Sequence, residues 1–112
     1  MEVEKLEKFI KGWVIGDFKP TLFNTKDFEI AIKTYKAGDL EEKHFHKIAK
    51  EWTVIVKGKV KMNDLEYVKG DIIIINPGEA TDFLALEQTV TVVVKIPSVS
   101  DDKFIVENPH HD

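Results

Sequence analysis

Apolar and polar positions alternate through 28–33, where Phe28, Ile30 and Ile32 interleave with Glu29, Ala31 and Lys33. That period of two predicts a strand with one wetter face. Ahead of it, Val3, Leu6 and Ile10 stand at helical spacing among charges, which predicts a short amphipathic helix within 2–11. Behind it, short apolar runs are cut by Ala37-Gly38-Asp39, Lys57-Gly58-Lys59, Asn63-Asp64, Lys69-Gly70-Asp71 and Asn76-Pro77-Gly78. The segments between predict strands over 51–56, 60–62, 65–68, 72–75 and 89–96, the last ended by Pro97. The first two read as a hairpin turning near Gly58, and 72–75 as a buried strand. Frequent turn signals with almost no long helical pattern make an all-β sandwich or barrel.

Alternation along 51–56 sets Glu51, Thr53 and Ile55 on one face and Trp52, Val54 and Val56 on the other. Both faces then need cover, and the outer one must meet another sheet layer or another subunit.

Composition narrows the class. The 112 residues make one domain, with a core barrel over about 27–98 and a tail at 99–112 that lies over the surface or frays. With 43% hydrophobic and 32% charged residues the chain is too apolar for disorder. Scattered lysines and a net charge of -4 argue against a nucleic-acid surface. No apolar run exceeds four residues, so no membrane span is expected, and without an export signal the default compartment is the cytoplasm. The absence of cysteine removes disulfides, thiolate metal ligands and thiol nucleophiles.

Chemistry centres on His44 and His46, two apart and therefore on one face of a strand. Both imidazoles can enter one cavity, with Glu51 following as a carboxylate partner. Two imidazoles and a carboxylate suit a divalent transition metal (iron, manganese, nickel or zinc) and leave positions open for substrate or water. His110 and His111 read as a solvated tail or an adventitious metal contact. Trp13 and Trp52 read as core or interface anchors, Tyr35 and Tyr67 as surface residues. Asp39 and Asp71, each following a turn glycine, should bond local backbone amides.

Gly38, five residues, His44-x-His46, four residues, Glu51, six residues and Gly58 match the first motif of the cupin family without a gap. Gly70-Asp71 and Pro77-Gly78 resemble its second motif, and the likeness runs over about 30–96. The resemblance implies a double-stranded β-helix, a small jelly-roll barrel, and pairing of two copies through their outer sheets as a homodimer. It also implies a further metal-binding histidine three residues past the last glycine of the second motif. Counted from Gly78 that place holds Thr81; counted from Pro77, which lies one residue late, it becomes Asp82. The expected metal set is therefore His44, His46, Glu51 and, as an unusual fourth ligand, Asp82; the alternative is a degenerate cupin that holds no metal.

Three functions follow as expectations. One is a metal-dependent enzyme on a small polar metabolite, with Ile30, Ile32, Ile55, Ile74, Val92 and Val94 as dry cavity walls. Another is a metal-free isomerase, because His44-Phe45-His46-Lys47 is similar to a stretch of the cupin keto-isomerases of thymidine-diphosphate sugars, whose histidines move protons. The acidic pair Glu41-Glu42 is a poor setting for a diphosphate. The last is a binding module for a sugar or carboxylic acid. Glu51 discriminates: beside both imidazoles it supports the enzyme readings, whereas pairing with Lys47 or Lys50 at the surface weakens them.

Overall fold

Strand alternation dictates two layers, and the computed structural model, which describes residues 1–107, contains two five-stranded antiparallel sheets. The strands are β1 (Trp13–Ile15), β2 (Glu29–Tyr35), β3 (Leu40–His46), β4 (Lys50–Lys57), β5 (Lys59–Met62), β6 (Leu65–Val68), β7 (Ile72–Ile75), β8 (Thr81–Ala85), β9 (Thr89–Ile96) and β10 (Lys103–Ile105). One sheet runs β1-β2-β9-β4-β7 and the other β10-β3-β8-β5-β6.

Several expectations change. The N-terminal segment forms only two 3-10 turns, Leu6–Lys8 and Ile10–Gly12, in place of a continuous helix. Its apolar residues Val3, Leu6, Phe9 and Ile10 are too few to secure a longer one. Gly58 does not turn a hairpin: β4 pairs with β7 and β9, while β5 pairs with β6 and β8, so the chain passes there from one sheet to the other. Gly58 takes φ +97°, and a Cβ on it would lie 2.4 Å from both the Gln88 carbonyl and Thr89 Oγ1. The hairpin lies one turn later, at Asn63-Asp64, where both residues have positive φ between Met62 and Leu65 as a type I′ turn requires. Asp39 and Asp71 do accept local backbone N–H bonds, from Lys36 and Val68.

β7 is an edge strand. Ile72 and Ile74 stand 60% and 55% exposed, and Ile73 and Ile75 face the core. The tail is also more ordered than expected, because β10 pairs in register with β3, Lys103 opposite His46 and Ile105 opposite His44. His110 and His111 lie outside the described residues.

Core packing fills one half of the barrel. Ile55, Val60, Met62, Phe83 and Ala85 form the buried cluster, with Tyr35, Tyr67, Ile73 and Ile75 against it. The other half is an open cavity of about 1140 Å³.

Candidate functional site

Register decides which side chains enter that cavity. Across the first sheet Glu29 pairs with Lys95 and Lys95 with Glu51, and Ala31 pairs with Val93 and Val93 with Thr53. These residues are buried or half-buried on the inner face. The expected walls Ile30, Ile74, Val92 and Val94 alternate to the outer face, Ile32 shares their parity yet borders the cavity, and Ile55 belongs to the packed cluster. The wetter face of β2 is therefore the inner one. Charged residues turn inward because the cavity supplies partners and water, while apolar residues cover the outside.

A line of polar contacts crosses the cavity floor. Glu29 Oε1 is 3.5 Å from Lys95 Nζ, and that ammonium is 3.4 Å from His46 Nε2. His46 Nδ1 is 4.0 Å from Glu51 Oε1, and Thr53 Oγ1 donates to Glu51 Oε2 at 2.8 Å. An ammonium only donates, so His46 accepts at Nε2 and carries its proton on Nδ1, toward Glu51. Burial first, then the Lys95 charge and His44, lowers the His46 pKa to about 4. Its imidazole is neutral at pH 7. Burial raises the Glu29 pKa, against the pull of Lys95.

His44 stands differently. Its Nδ1 is 2.9 Å from the Glu42 carbonyl oxygen, which accepts only, so the proton sits on Nδ1 and the Nε2 lone pair remains for a ligand. The two rings meet edge to face, centroids 5.3 Å apart. Structure thus separates two histidines that the spacing alone makes equivalent.

The tail holds this arrangement from behind. Asp102, 5% exposed, accepts backbone N–H bonds from Lys47, Ile48 and Ala49, the turn that joins His46 to the strand of Glu51. Phe104 stacks on Phe45 at 5.5 Å. Deeper in the cavity, Tyr35 donates to Glu41 at 2.5 Å, and burial together with the Glu41 charge raises the phenol pKa. Burial lowers the Lys33 pKa. The Lys33 and Lys95 ammoniums lie 5.3 and 4.9 Å from the Trp13 ring centroid. Tyr35 is thus a cavity residue, not a surface one, and Trp13 lines the cavity.

Glu51 faces the imidazoles, while Lys47 and Lys50 lie over the rings of Phe104 and Trp52. Thr81 pairs with His44 across β3 and β8 and stands on the inner face with Phe83 and Ala85. Asp82, at the cavity mouth, accepts from the Asn63 backbone N–H at 2.8 Å.

The cupin resemblance implies a divalent metal, and the donors decide whether one fits. Among the described residues, no three or more imidazole and carboxylate groups converge as a metal site requires. His46 Nε2 already accepts from the Lys95 ammonium, and Thr81 offers no imidazole. As arranged, this donor set does not fit a divalent metal.

Glu29, Lys95 and Asp102 escaped the sequence reading. Lys95 left a signal, as the single charge in the apolar strand 89–96, on the parity of Thr89, Thr91 and Val93. Asp102 left none, because its three partners are more than fifty positions away.

No protein-family profile matches the chain, and no curated protein matches its sequence. Solved structures do. A Klebsiella pneumoniae protein described by its double-stranded beta-helix domain is similar at 20% identity and TM-score 0.66, over 75% of this chain and 78% of that one. A cupin-2 domain protein from Shewanella frigidimarina matches at 14% identity and TM-score 0.56, over 64% and 72%. Oxalate decarboxylase of Bacillus subtilis, described with Mn(II) centres, matches at 18% identity and TM-score 0.63, over 73% of this chain but 25% of that enzyme. With two antiparallel sheets closing around a half-filled barrel, the chain has the double-stranded β-helix fold of the cupins.

Proposed function

We propose that this chain binds a small polar molecule, a sugar or a carboxylic acid, in the open half of its barrel and does so without a divalent metal. One observation carries the reading: His44 bonds the Glu42 carbonyl through Nδ1, which leaves Nε2 for a ligand, beside a cavity in which Glu29, Lys95 and His46 already engage one another. A neutral imidazole in that state accepts a hydrogen bond from a ligand hydroxyl or carboxylic acid, or takes a proton from an acidic carbon. His46 is engaged at Nε2 and faces a carboxylate at Nδ1, so it orients and does not shuttle. This favours binding or one-base proton transfer over a two-histidine relay.

The test is a panel of monosaccharides and short-chain carboxylic acids titrated into wild type and His44→Ala, followed by amide chemical shifts. Binding in wild type and at least tenfold weaker binding in the variant supports the reading. Equal binding in both removes His44 from the site.

A second reading keeps a metal on His44, His46, Glu51 and Asp82. It is favoured by the proximity of His46 to Glu51 and by the Mn(II) centres of the similar oxalate decarboxylase. It requires Lys95 to leave His46. Two copies would pair through the outer face of the first sheet. There Ile30, Val94, Trp52 and Ile74 form one cross-strand row and Ile32, Val92, Val54 and Ile72 a second, with no charge in either.

A further inference from the structure

We propose that Lys33 is an anion subsite in the open half of the barrel, and that it selects a ligand bearing a carboxylate over the same molecule without one. The inference deepens the binding reading above: it rests on that reading's ligand-binding cavity, and not on His44.

Strand parity turns the side chain inward. Lys33 follows Glu29 and Ala31 on the inner face of β2, stands opposite Thr91 of β9 and lines the cavity. Lys95 lines it too, and the two ammoniums lie 5.3 and 4.9 Å from the same Trp13 ring centroid. Their partners differ. Lys95 has Glu29 Oε1 at 3.5 Å and His46 Nε2 at 3.4 Å. Lys33 forms no ion pair among the described residues and meets only the face of Trp13.

The wall carboxylates are engaged elsewhere. Glu29 is held by Lys95, Glu41 accepts from the Tyr35 hydroxyl at 2.5 Å, and Glu51 accepts from Thr53 Oγ1 at 2.8 Å. Burial lowers the Lys33 pKa, Glu41 partly opposes this, and Lys103, Lys11 and Lys95 push it down further. A half-buried ammonium in that setting lacks a counter-ion, and an anion entering the cavity supplies one. A carboxylate there accepts a charge-assisted bond, whereas a hydroxymethyl group in its place leaves the charge uncompensated. Glu41 lies close enough to act on Lys33 and repels a second negative charge, so a monocarboxylate fits and a phosphate dianion does not.

Matched pairs test this: gluconate against sorbitol, and lactate against propane-1,2-diol, each pair exchanging a carboxylate for a hydroxymethyl group. All are titrated into wild type, Lys33→Met and Lys33→Arg and followed by amide chemical shifts, with circular dichroism reporting the fold. The Lys33 side-chain ¹³Cε–¹Hε resonances are read in wild type, so the outcome does not depend on a variant folding. The acids should bind wild type about tenfold more tightly than their alcohols, with that margin lost in Lys33→Met and restored in Lys33→Arg. The Lys33 resonances should move with the acids and not with the alcohols. Acids that bind no more tightly than their alcohols, that bind folded Lys33→Met as well as wild type, or that leave the Lys33 resonances unmoved overturn the proposal. So does a wild type that binds none of the compounds. Alcohols and acids bound alike, and both weakened in His44→Ala, would keep the binding reading and remove this one. A preference for acids that is lost in Lys33→Met but unchanged in His44→Ala would keep the anion subsite and remove His44.

Discussion

The Lys95 ammonium lies 3.4 Å from His46 Nε2, which turns the buried histidine into an acceptor held neutral. Burial and that neighbouring charge bring its pKa to about 4. The unfolded chain, with an ordinary histidine pKa of ~6.5, takes up the proton first as the solution is acidified. His46 therefore contributes its full stability above pH ~6.5 and loses it between there and about 4. Urea unfolding at pH 7, 5.5 and 4 should show this decline, and His46→Gln should flatten it. An unchanged slope in the variant would assign the acid sensitivity elsewhere.

Asp102 should matter far more than its place in the tail suggests. Burial opposes its charge, but backbone N–H donors from Ala49, Ile48 and Lys47 more than offset that and hold its pKa below the usual carboxylate range. Asp102→Asn turns an amide NH₂ toward those donors and should cost about 3 kcal/mol. Because the native pKa is the lower one, the contribution is present above the unfolded value of ~3.9 and vanishes as pH falls through the native pKa. Wild type and variant should therefore converge in stability below that range.

Gly58 should not accept alanine. Its φ of +97° and the 2.4 Å approach of a Cβ to the Gln88 carbonyl strain both backbone and packing at the sheet-to-sheet crossing. A loss of about 3 kcal/mol is expected for Gly58→Ala by thermal or urea unfolding, as overpacking and a left-handed non-glycine residue combine.

Outer-face pairing predicts a dimer by sedimentation for wild type and a monomer for Ile74→Glu. At 55% exposure Ile74 contributes little to the fold of one copy, so the variant should stay folded. A monomeric wild type would contradict the interface.

Much of the barrel was legible because its strands are short, periodic and bounded by glycine, proline and asparagine turns. β6, β7 and β9 begin and end where the pattern puts them. Sidedness was not legible. Alternation at 28–33 identifies two faces, yet only pairing shows that Glu29 and Lys33 face inward while Ile30 faces out. The His-x-His spacing brought His44 and His46 to one site, and Glu51 joins them across the turn that Asp102 ties down. What distinguishes the two imidazoles, a local carbonyl for one and a distant lysine for the other, is a tertiary fact that spacing cannot encode.

Long-range ¹H–¹⁵N spectra of the imidazole nitrogens bear most directly on a cavity that supplies its own cation and leaves one histidine free. At pH 7, with no added metal, His46 should appear as a neutral ring protonated at Nδ1, and His44 should show its Nδ1 proton hydrogen-bonded. His46 should keep that state down to about pH 4, and zinc should move neither ring. A His46 that is cationic at pH 7, protonated at Nε2, or shifted by stoichiometric zinc would contradict the account.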